Sequence, residues 1–254
     1  MKQRLPCLRA ERIKIHRTLA FAMTFIAPAA IIVLVLAMYT RHPAFYIQTA
    51  ESSAWKLLGE NVLVYWSLLM LPLFITIESA LLGNLEHSQK NWKMIFTLPV
   101  RRSRIYLAKL ITSIELIALS MVILFGMLLL LGAGLQIYIP EFGFDFNIPW
   151  CYLGKLFGLS FLASWLLISF HLWLSVRTPN FVLAISVGII ATILGLFIFG
   201  EDFAAYYPWT IPGTFSIDMA QKSITQLVSL GIGWLGSILF AILAMVDIQH
   251  RDVL

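Results

Sequence analysis

The chain has 254 residues, of which 60% are hydrophobic and only 12% charged, and its mean hydropathy is +0.86. A soluble domain is about half apolar and about a quarter charged, so this chain has too few charges to cover a globule in water. The composition predicts an all-α integral membrane protein. It excludes a soluble ATPase domain, a periplasmic receptor and a nucleic-acid-binding module, and the net charge of +5 is interpreted as a signal of orientation in the bilayer.

Six apolar runs are long enough to cross a hydrocarbon core of about 30 Å at about 1.5 Å per residue. They lie at 18–39, 61–83, 105–135, 153–176, 180–200 and 224–247. No repeat or linker separates them, so residues 1–254 are predicted to form one transmembrane domain of six helices. The third run is overlong and predicts a helix that tilts or protrudes, and Pro28 and Pro72 predict kinks in the first two.

Basic residues are concentrated on one side of this topology. The N-terminal arm, the second connection with the start of the third run, the fourth connection and the C-terminus carry 14 of the 18 lysines and arginines. The other connections hold Arg41, Lys56, Lys155 and Lys222 together with most of the acids. By the positive-inside rule, both termini are predicted to be cytoplasmic.

The N-terminal arm before the first run has an amphipathic pattern. Leu5, Leu8, Ile15 and Leu19 fall roughly on one helical face, which is interrupted near Glu11 and flanked by basic residues. A basic amphipathic helix is typical of an element that lies on the membrane surface. The alternative is a disordered basic tail.

The polar stretch 84–104 between the second and third runs has too many polar residues to cross the membrane. Glu86 and Lys90 are four residues apart, which favours a helical turn, and Trp92 and Phe96 give that helix an apolar face. Pro99 ends it, because the residue before a proline avoids the helical conformation. The pattern predicts a short amphipathic helix parallel to the membrane, which either lies passively among the headgroups or docks into another protein.

Ionisable residues inside the apolar runs are costly in a bilayer and are therefore candidate functional residues. Glu78 and Lys109 are expected at similar depth near the cytoplasmic face, where they would pair and link the second and third helices. Glu115 is expected deeper and has no obvious partner in the sequence, so either a transport role or structural hydrogen bonding is open to it. A histidine such as His171 in an apolar run more often hydrogen-bonds between helices than acts as a ligand.

The last external connection, 201–223, contains aromatic residues and helix breakers, including Tyr207, Trp209 and Pro212. Tyrosine and tryptophan at this position are ordinary residues of the membrane interface. The Pro-Trp and Pro-Gly breaks equally suit a partly re-entrant segment before the last helix.

The sequence has no phosphate-binding loop of the form G-x-x-x-x-G-K-[ST], no cluster with metal-ligand spacing and no nucleophilic serine in G-x-S-x-G. We therefore expect no catalytic residue, no metal and no nucleotide site in this chain, and an enzyme is disfavoured.

The region from Glu78 to Lys109 resembles the permease subunits of ABC-2 type exporters. The residues that carry the resemblance are E-H-x-x-x-x-W-K-x-x-F-x-L-P followed by R-R-S-R-I-Y-L-A-K. The whole chain is also similar in length, span number and topology, especially to the six-span group of lantibiotic-immunity and bacitracin-type exporters. In that family the segment between spans two and three is a coupling helix that docks into a cleft of the ATPase subunit.

The resemblance implies roles for particular residues. The coupling helix would use Glu86, His87, Lys90, Asn91, Trp92 and Phe96 to face or support the ATPase. The N-terminal arm would be an elbow helix, and Tyr207, Trp209 and Pro212 would belong to an external gate.

The resemblance also implies a complex in the bacterial plasma membrane. Two permease chains, identical or related, would form the pathway, and separate ATPase subunits would bind ATP and Mg²⁺ and drive export of an amphipathic peptide or lipid-like compound, as in antimicrobial peptide resistance. The alternative is a non-transporting scaffold or sensor that docks another cytoplasmic protein through 84–104. The sequence does not identify the cargo, the ATPase or the second permease.

Overall fold

The computed structural model describes residues 4–16, 18–49, 53–87, 100–145, 147–216 and 224–250. Within these ranges the chain is helical without a β-strand, and six of its helices are long and apolar enough to cross a membrane. The all-α, six-span architecture predicted from the sequence is therefore confirmed.

The spans are numbered in chain order. Span 1 is Leu19–Arg41, span 2 is Ala54–His87, span 3 is Arg102–Tyr138, span 4 is Trp150–Arg177, span 5 is Phe181–Ile198 and span 6 is Ile224–His250. Shorter elements are the N-terminal helix Arg4–Ile15, the helices Pro43–Thr49 and Ile211–Thr214, and the 3₁₀ turns Pro140–Phe142 and Asp202–Tyr206. Successive spans alternate in direction, so the N-terminal helix, the ends of spans 2, 4 and 6 and the start of span 3 share one side, called here the basic side.

Span 2 is irregular at its middle. A wider π-helical turn, Trp66–Met70, separates the helix Ala54–Tyr65 from the helix Leu71–His87. Pro72 has no backbone N–H to donate to the preceding turn, and the wider turn accommodates that loss. A π-helical turn therefore lies beside Pro72, where the sequence predicts a kink, whereas the helix Leu19–Arg41 continues through Pro28.

Spans 2 and 4 form the centre of the molecule, and spans 5 and 6 are the most exposed. Gly83 explains how closely spans 2 and 4 approach, because a Cβ atom there would lie 2.5 Å from the backbone oxygen of Ser175. Small residues permit such close approach between membrane helices. Spans 5 and 6 expose large apolar side chains such as Ile190 and Leu235, which suit contact with lipid or with another chain.

Span 3 has 37 residues and is therefore about 55 Å long. This length exceeds a hydrocarbon core of about 30 Å, as the overlong apolar run predicted. Span 3 packs against the N-terminal helix, to which it is bonded through Lys109 and Glu115.

Candidate functional site

The N-terminal helix directs an acidic residue toward the rest of the protein. Glu11 is only 4% exposed and shares its buried face with Ile15, one turn later. This face packs on span 3. Glu11 thus lies on the packed face, at the point where the sequence predicted an interruption of the apolar pattern. The predicted continuation of that face to Leu19 was wrong, because Leu19 already belongs to span 1.

Four charged side chains meet where this helix, span 2 and span 3 come together. Lys109 Nζ of span 3 donates to Glu11 Oε2 at 2.9 Å and to Glu86 Oε1 at 3.1 Å. Lys14 Nζ donates to the same Glu86 Oε1 at 2.8 Å and to Glu11 Oε1 at 3.2 Å. We call Glu11, Lys14, Glu86 and Lys109 the ion-pair cluster.

The ion-pair cluster is balanced in charge and largely removed from water. Glu86 and Lys109 are each 1% exposed, whereas the Lys14 side chain is 41% exposed. Burying a charge costs several kcal/mol unless a partner compensates it, so loss of one member leaves another charge buried without its partner. The cluster therefore holds three elements in one register.

The electrostatics of Lys14 reflect this arrangement. Partial burial by itself would lower the pKa of Lys14, but its hydrogen bond to Glu86 and the charges of Glu11 and Glu86 outweigh that effect and raise the pKa. The two carboxylates therefore favour the charged form of Lys14 more strongly than burial opposes it.

A second ion pair joins the N-terminal helix to span 3. Arg12 donates to both carboxylate oxygens of Glu115, with its Nε at 2.9 Å from Oε2. The pKa of Arg12 is raised, chiefly by this hydrogen bond and by the charge of Glu115. The sequence offered no obvious partner for Glu115. The structure supplies Arg12, because the N-terminal helix reaches along span 3 as far as this residue.

The pair predicted between Glu78 and Lys109 does not form. Glu78 is completely buried, and neither of its carboxylate oxygens makes a hydrogen bond of ordinary geometry to a residue that the structure describes, although the Ser113 hydroxyl is adjacent. Glu78 precedes Glu86 by eight residues, or about 12 Å along span 2. Glu86 therefore lies level with Lys109, and Glu78 lies too deep to reach it.

His87 joins the end of span 2 to the end of span 4. Its Nε2 lies 3.2 Å from each of the backbone oxygens of Ser175 and Val176. These carbonyls belong to the last turn of span 4, where helix geometry leaves carbonyl groups without intrahelical partners. His87 therefore acts as a cap that connects two spans.

Span 6 is tied to the same side by two further contacts. Arg177 at the end of span 4 forms an ion pair with Asp247 of span 6, and Arg102 Nη1 donates to the backbone oxygen of Gln249 at 3.4 Å. Together with the ion-pair cluster and His87, these contacts join the N-terminal helix and spans 2, 3, 4 and 6 on the basic side.

The remaining predicted coupling residues, Lys90, Asn91, Trp92 and Phe96, lie outside the residues that the structure describes. Their chain neighbours Glu86 and His87 are described, and both side chains are directed into the protein. Because the carboxylate of Glu86 is buried in the ion-pair cluster, it cannot contact another protein directly and can only position the docking segment that follows it.

The segment before span 6, on the side away from the basic side, folds back against the spans. The Tyr207 hydroxyl donates to the backbone oxygen of Ala191 at 2.9 Å, and Ala191 lies seven residues, or about 10 Å, before the end of span 5. The Trp209 ring packs edge-on against His171 of span 4 at 5.7 Å between centroids, and Pro212 is buried. This geometry favours the re-entrant alternative over a simple interfacial belt, and a gating role for the segment stays a prediction.

Glu11, Arg12 and Lys14 were not predicted from the sequence as site residues. The signal for Glu11 was present, because a lone acid one turn before Ile15 on a basic, amphipathic helix indicates a buried carboxylate that needs a basic partner. Its partner Lys109 lies 98 residues away in the chain, a distance over which helical spacing carries no information.

Within the described ranges, no group of three or more His, Cys, Asp or Glu side chains is arranged to hold a metal ion. The chemistry that the site offers is therefore electrostatic and mechanical: buried charges fix the relative positions of helices around the polar connection between spans 2 and 3.

Comparison with known proteins gives one family match. A family model described as "ABC-2 family transporter protein" matches residues 7–195, which include most of the N-terminal helix, the ion-pair cluster and the first five spans up to Gly195. No curated protein matches the chain.

Proposed function

Because the chain belongs to the ABC-2 family of transporter proteins, we propose that it is the permease subunit of an ATP-driven exporter. Members of this family are membrane components that act together with an ATP-binding subunit and are not themselves catalytic. In the proposed complex, separate ATPase subunits bind ATP and Mg²⁺ on the cytoplasmic side, and this chain supplies the spans.

One observation carries the proposal: the ion-pair cluster lies at the base of both helices that flank residues 88–101. A segment that docks into an ATPase must pass its displacement to the spans. Glu86 lies in the last turn of span 2 and Lys109 about two turns into span 3. Glu11 and Lys14 join both residues to the N-terminal helix. A push on the segment would therefore move these three elements as one rigid body.

The assembly and cargo follow from the resemblance of the sequence to peptide-immunity exporters. We propose a dimer of permease chains in the bacterial plasma membrane, with both termini cytoplasmic and the pathway between the chains. The cargo would be an amphipathic peptide or a lipid-like compound, and the re-entrant segment around Trp209 would close the external end of the pathway.

The first test is purification of the tagged chain from its native membrane in mild detergent, with ATP and vanadate to trap the closed complex. Mass spectrometry should find an ATPase subunit in near-equal amount. Absence of any ATPase, even with a crosslinker, would refute the exporter assignment.

A matched pair of tryptophan variants tests the docking segment. Trp92→Ala should lower the recovery of the ATPase subunit, because it removes an aromatic anchor from the segment. Trp150→Ala should leave that recovery unchanged, because Trp150 is exposed and lies at the start of span 4, away from the basic side. Equal recovery from both variants would place the ATPase contact elsewhere on the chain.

A further inference from the structure

A groove of about 410 Å³ lies between spans 1 and 3. It is lined by residues between Ala29 and Thr40 of span 1 and between Met127 and Tyr138 of span 3. Val33 and Leu130 on its two walls are 64% and 74% exposed, so the groove opens sideways toward the surrounding membrane. It lies in the half of the spans away from the ion-pair cluster.

The dimensions of the groove select its occupant. Each wall covers eleven residue steps, or about 16 Å of helix, which is about half of a hydrocarbon core of about 30 Å. The groove therefore matches one extended hydrocarbon chain from a single leaflet in length and in its apolar lining.

The chemistry of the groove changes along its length. Its walls are almost wholly apolar, with Thr40 and Tyr138 at its outer end. Arg41 follows Thr40 in the chain and is the last residue of span 1. Arg41 is exposed, and it forms no ion pair with any residue that the structure describes. An arginine at the end of a span is suited to the phosphate of a lipid headgroup.

We propose that this groove binds one acyl chain of a phospholipid from the leaflet on the side of Arg41, with the lipid phosphate at Arg41. The bound lipid fills the seam between spans 1 and 3 and remains with the protein after extraction from the membrane. This proposal is independent of what the chain transports.

Two glycines of span 3 provide a matched pair of variants. A Cβ atom at either Gly134 or Gly126 would meet nothing within 4 Å, so leucine is accommodated at both positions without a backbone clash. Gly134 lines the groove and Gly126 does not. Gly134→Leu therefore fills the groove, and Gly126→Leu controls for the change of glycine to leucine in the same helix.

The experiment uses the full chain in mild detergent with phosphatidylglycerol that carries a photoreactive diazirine in one acyl chain. After irradiation, peptide mapping should concentrate the adducts on residues 29–36 and 127–134. Gly134→Leu should reduce these adducts about tenfold, because leucine displaces at least two methylene groups of the chain. Gly126→Leu should keep the wild-type yield.

Three results would overturn the proposal. Adducts spread equally over the exposed faces of spans 5 and 6 would indicate ordinary surrounding lipid, and equal yields from the two leucine variants would exclude the groove as the site. Crosslinking of a Gly134→Cys variant into dimers in most molecules would mean that a second copy covers the groove. Arg41→Gln tests the headgroup: it should abolish any preference for phosphatidylglycerol over phosphatidylcholine, and an unchanged preference would refute the phosphate contact.

Discussion

Removal of the buried cation from the ion-pair cluster gives the sharpest test of the structure. Lys109→Met replaces the lysine with an uncharged side chain of similar length, so the packing around the spans is largely retained. Glu11 and Glu86 then remain buried with Lys14 as their shared cation, and Lys14 is 41% exposed. One positive charge near the surface must then compensate two carboxylates.

The expected loss follows from the burial of the pair. Removing one partner of a buried ion pair costs about 3–5 kcal/mol, and the remaining bonds from Lys14 place this case near 3 kcal/mol. For a chain of this size, that loss lowers the melting temperature by about 6–12 °C. Thermal unfolding of the purified protein in detergent, followed by tryptophan fluorescence, measures the change.

A charge-balanced variant separates electrostatics from packing. Lys109→Met combined with Glu86→Gln leaves one acid, Glu11, opposite one base, Lys14. This double variant should recover most of the lost stability, since removal of both members of a buried pair is often close to neutral.

The surface pair on the same side supplies the control. Arg177→Gln breaks the ion pair with Asp247, whose side chains are 50% and 29% exposed, and should cost no more than about 1 kcal/mol. The reasoning is refuted if Lys109→Met costs as little as this control, or if the double variant is as unstable as the single one.

Three further predictions use the same stability assay. Gly83→Ala should destabilise the protein, because the added Cβ would lie 2.5 Å from the backbone oxygen of Ser175. Gly126→Ala, where the added Cβ meets nothing within 4 Å, should be neutral or stabilising by up to about 1 kcal/mol. Equal effects of the two substitutions would refute the close approach of spans 2 and 4. The pKa of Lys14 is raised in the folded protein, so the stabilisation that Lys14 provides is fully present below about pH 10.4 and is lost as the pH rises through the folded-state pKa. Lys14→Gln should therefore reduce the decline in melting temperature at alkaline pH. Tyr207→Phe should cost about 1 kcal/mol through loss of its hydrogen bond to the backbone of span 5, and an unchanged melting temperature would show that the external segment does not depend on this bond.

The sequence singled out charged residues that the structure brings into ion pairs, but it misassigned their partners. It directed attention to the stretch that begins near Glu86, and it marked Lys109 and Glu115 as unusual because charged residues are costly inside apolar runs. It paired Lys109 with Glu78 and left Glu115 without a partner. In the structure Lys109 pairs with Glu86 and Glu11, and Glu115 pairs with Arg12.

The sequence by itself determined the six spans and the all-α architecture. Helices in a membrane must satisfy their own backbone hydrogen bonds, so a local property, the length of each apolar run, decides where a span lies. Even the irregularity near Pro72 follows from a local cause, the missing backbone donor.

Only the tertiary structure decided which charges meet and where a groove opens. These features depend on how far one helix is shifted and rotated against another, and a shift of eight residues along span 2 is enough to replace Glu78 with Glu86 as the partner of Lys109. Register of this kind is fixed by close packing between residues far apart in the chain, such as Gly83 against Ser175. The order of amino acids along a single helix does not determine this register.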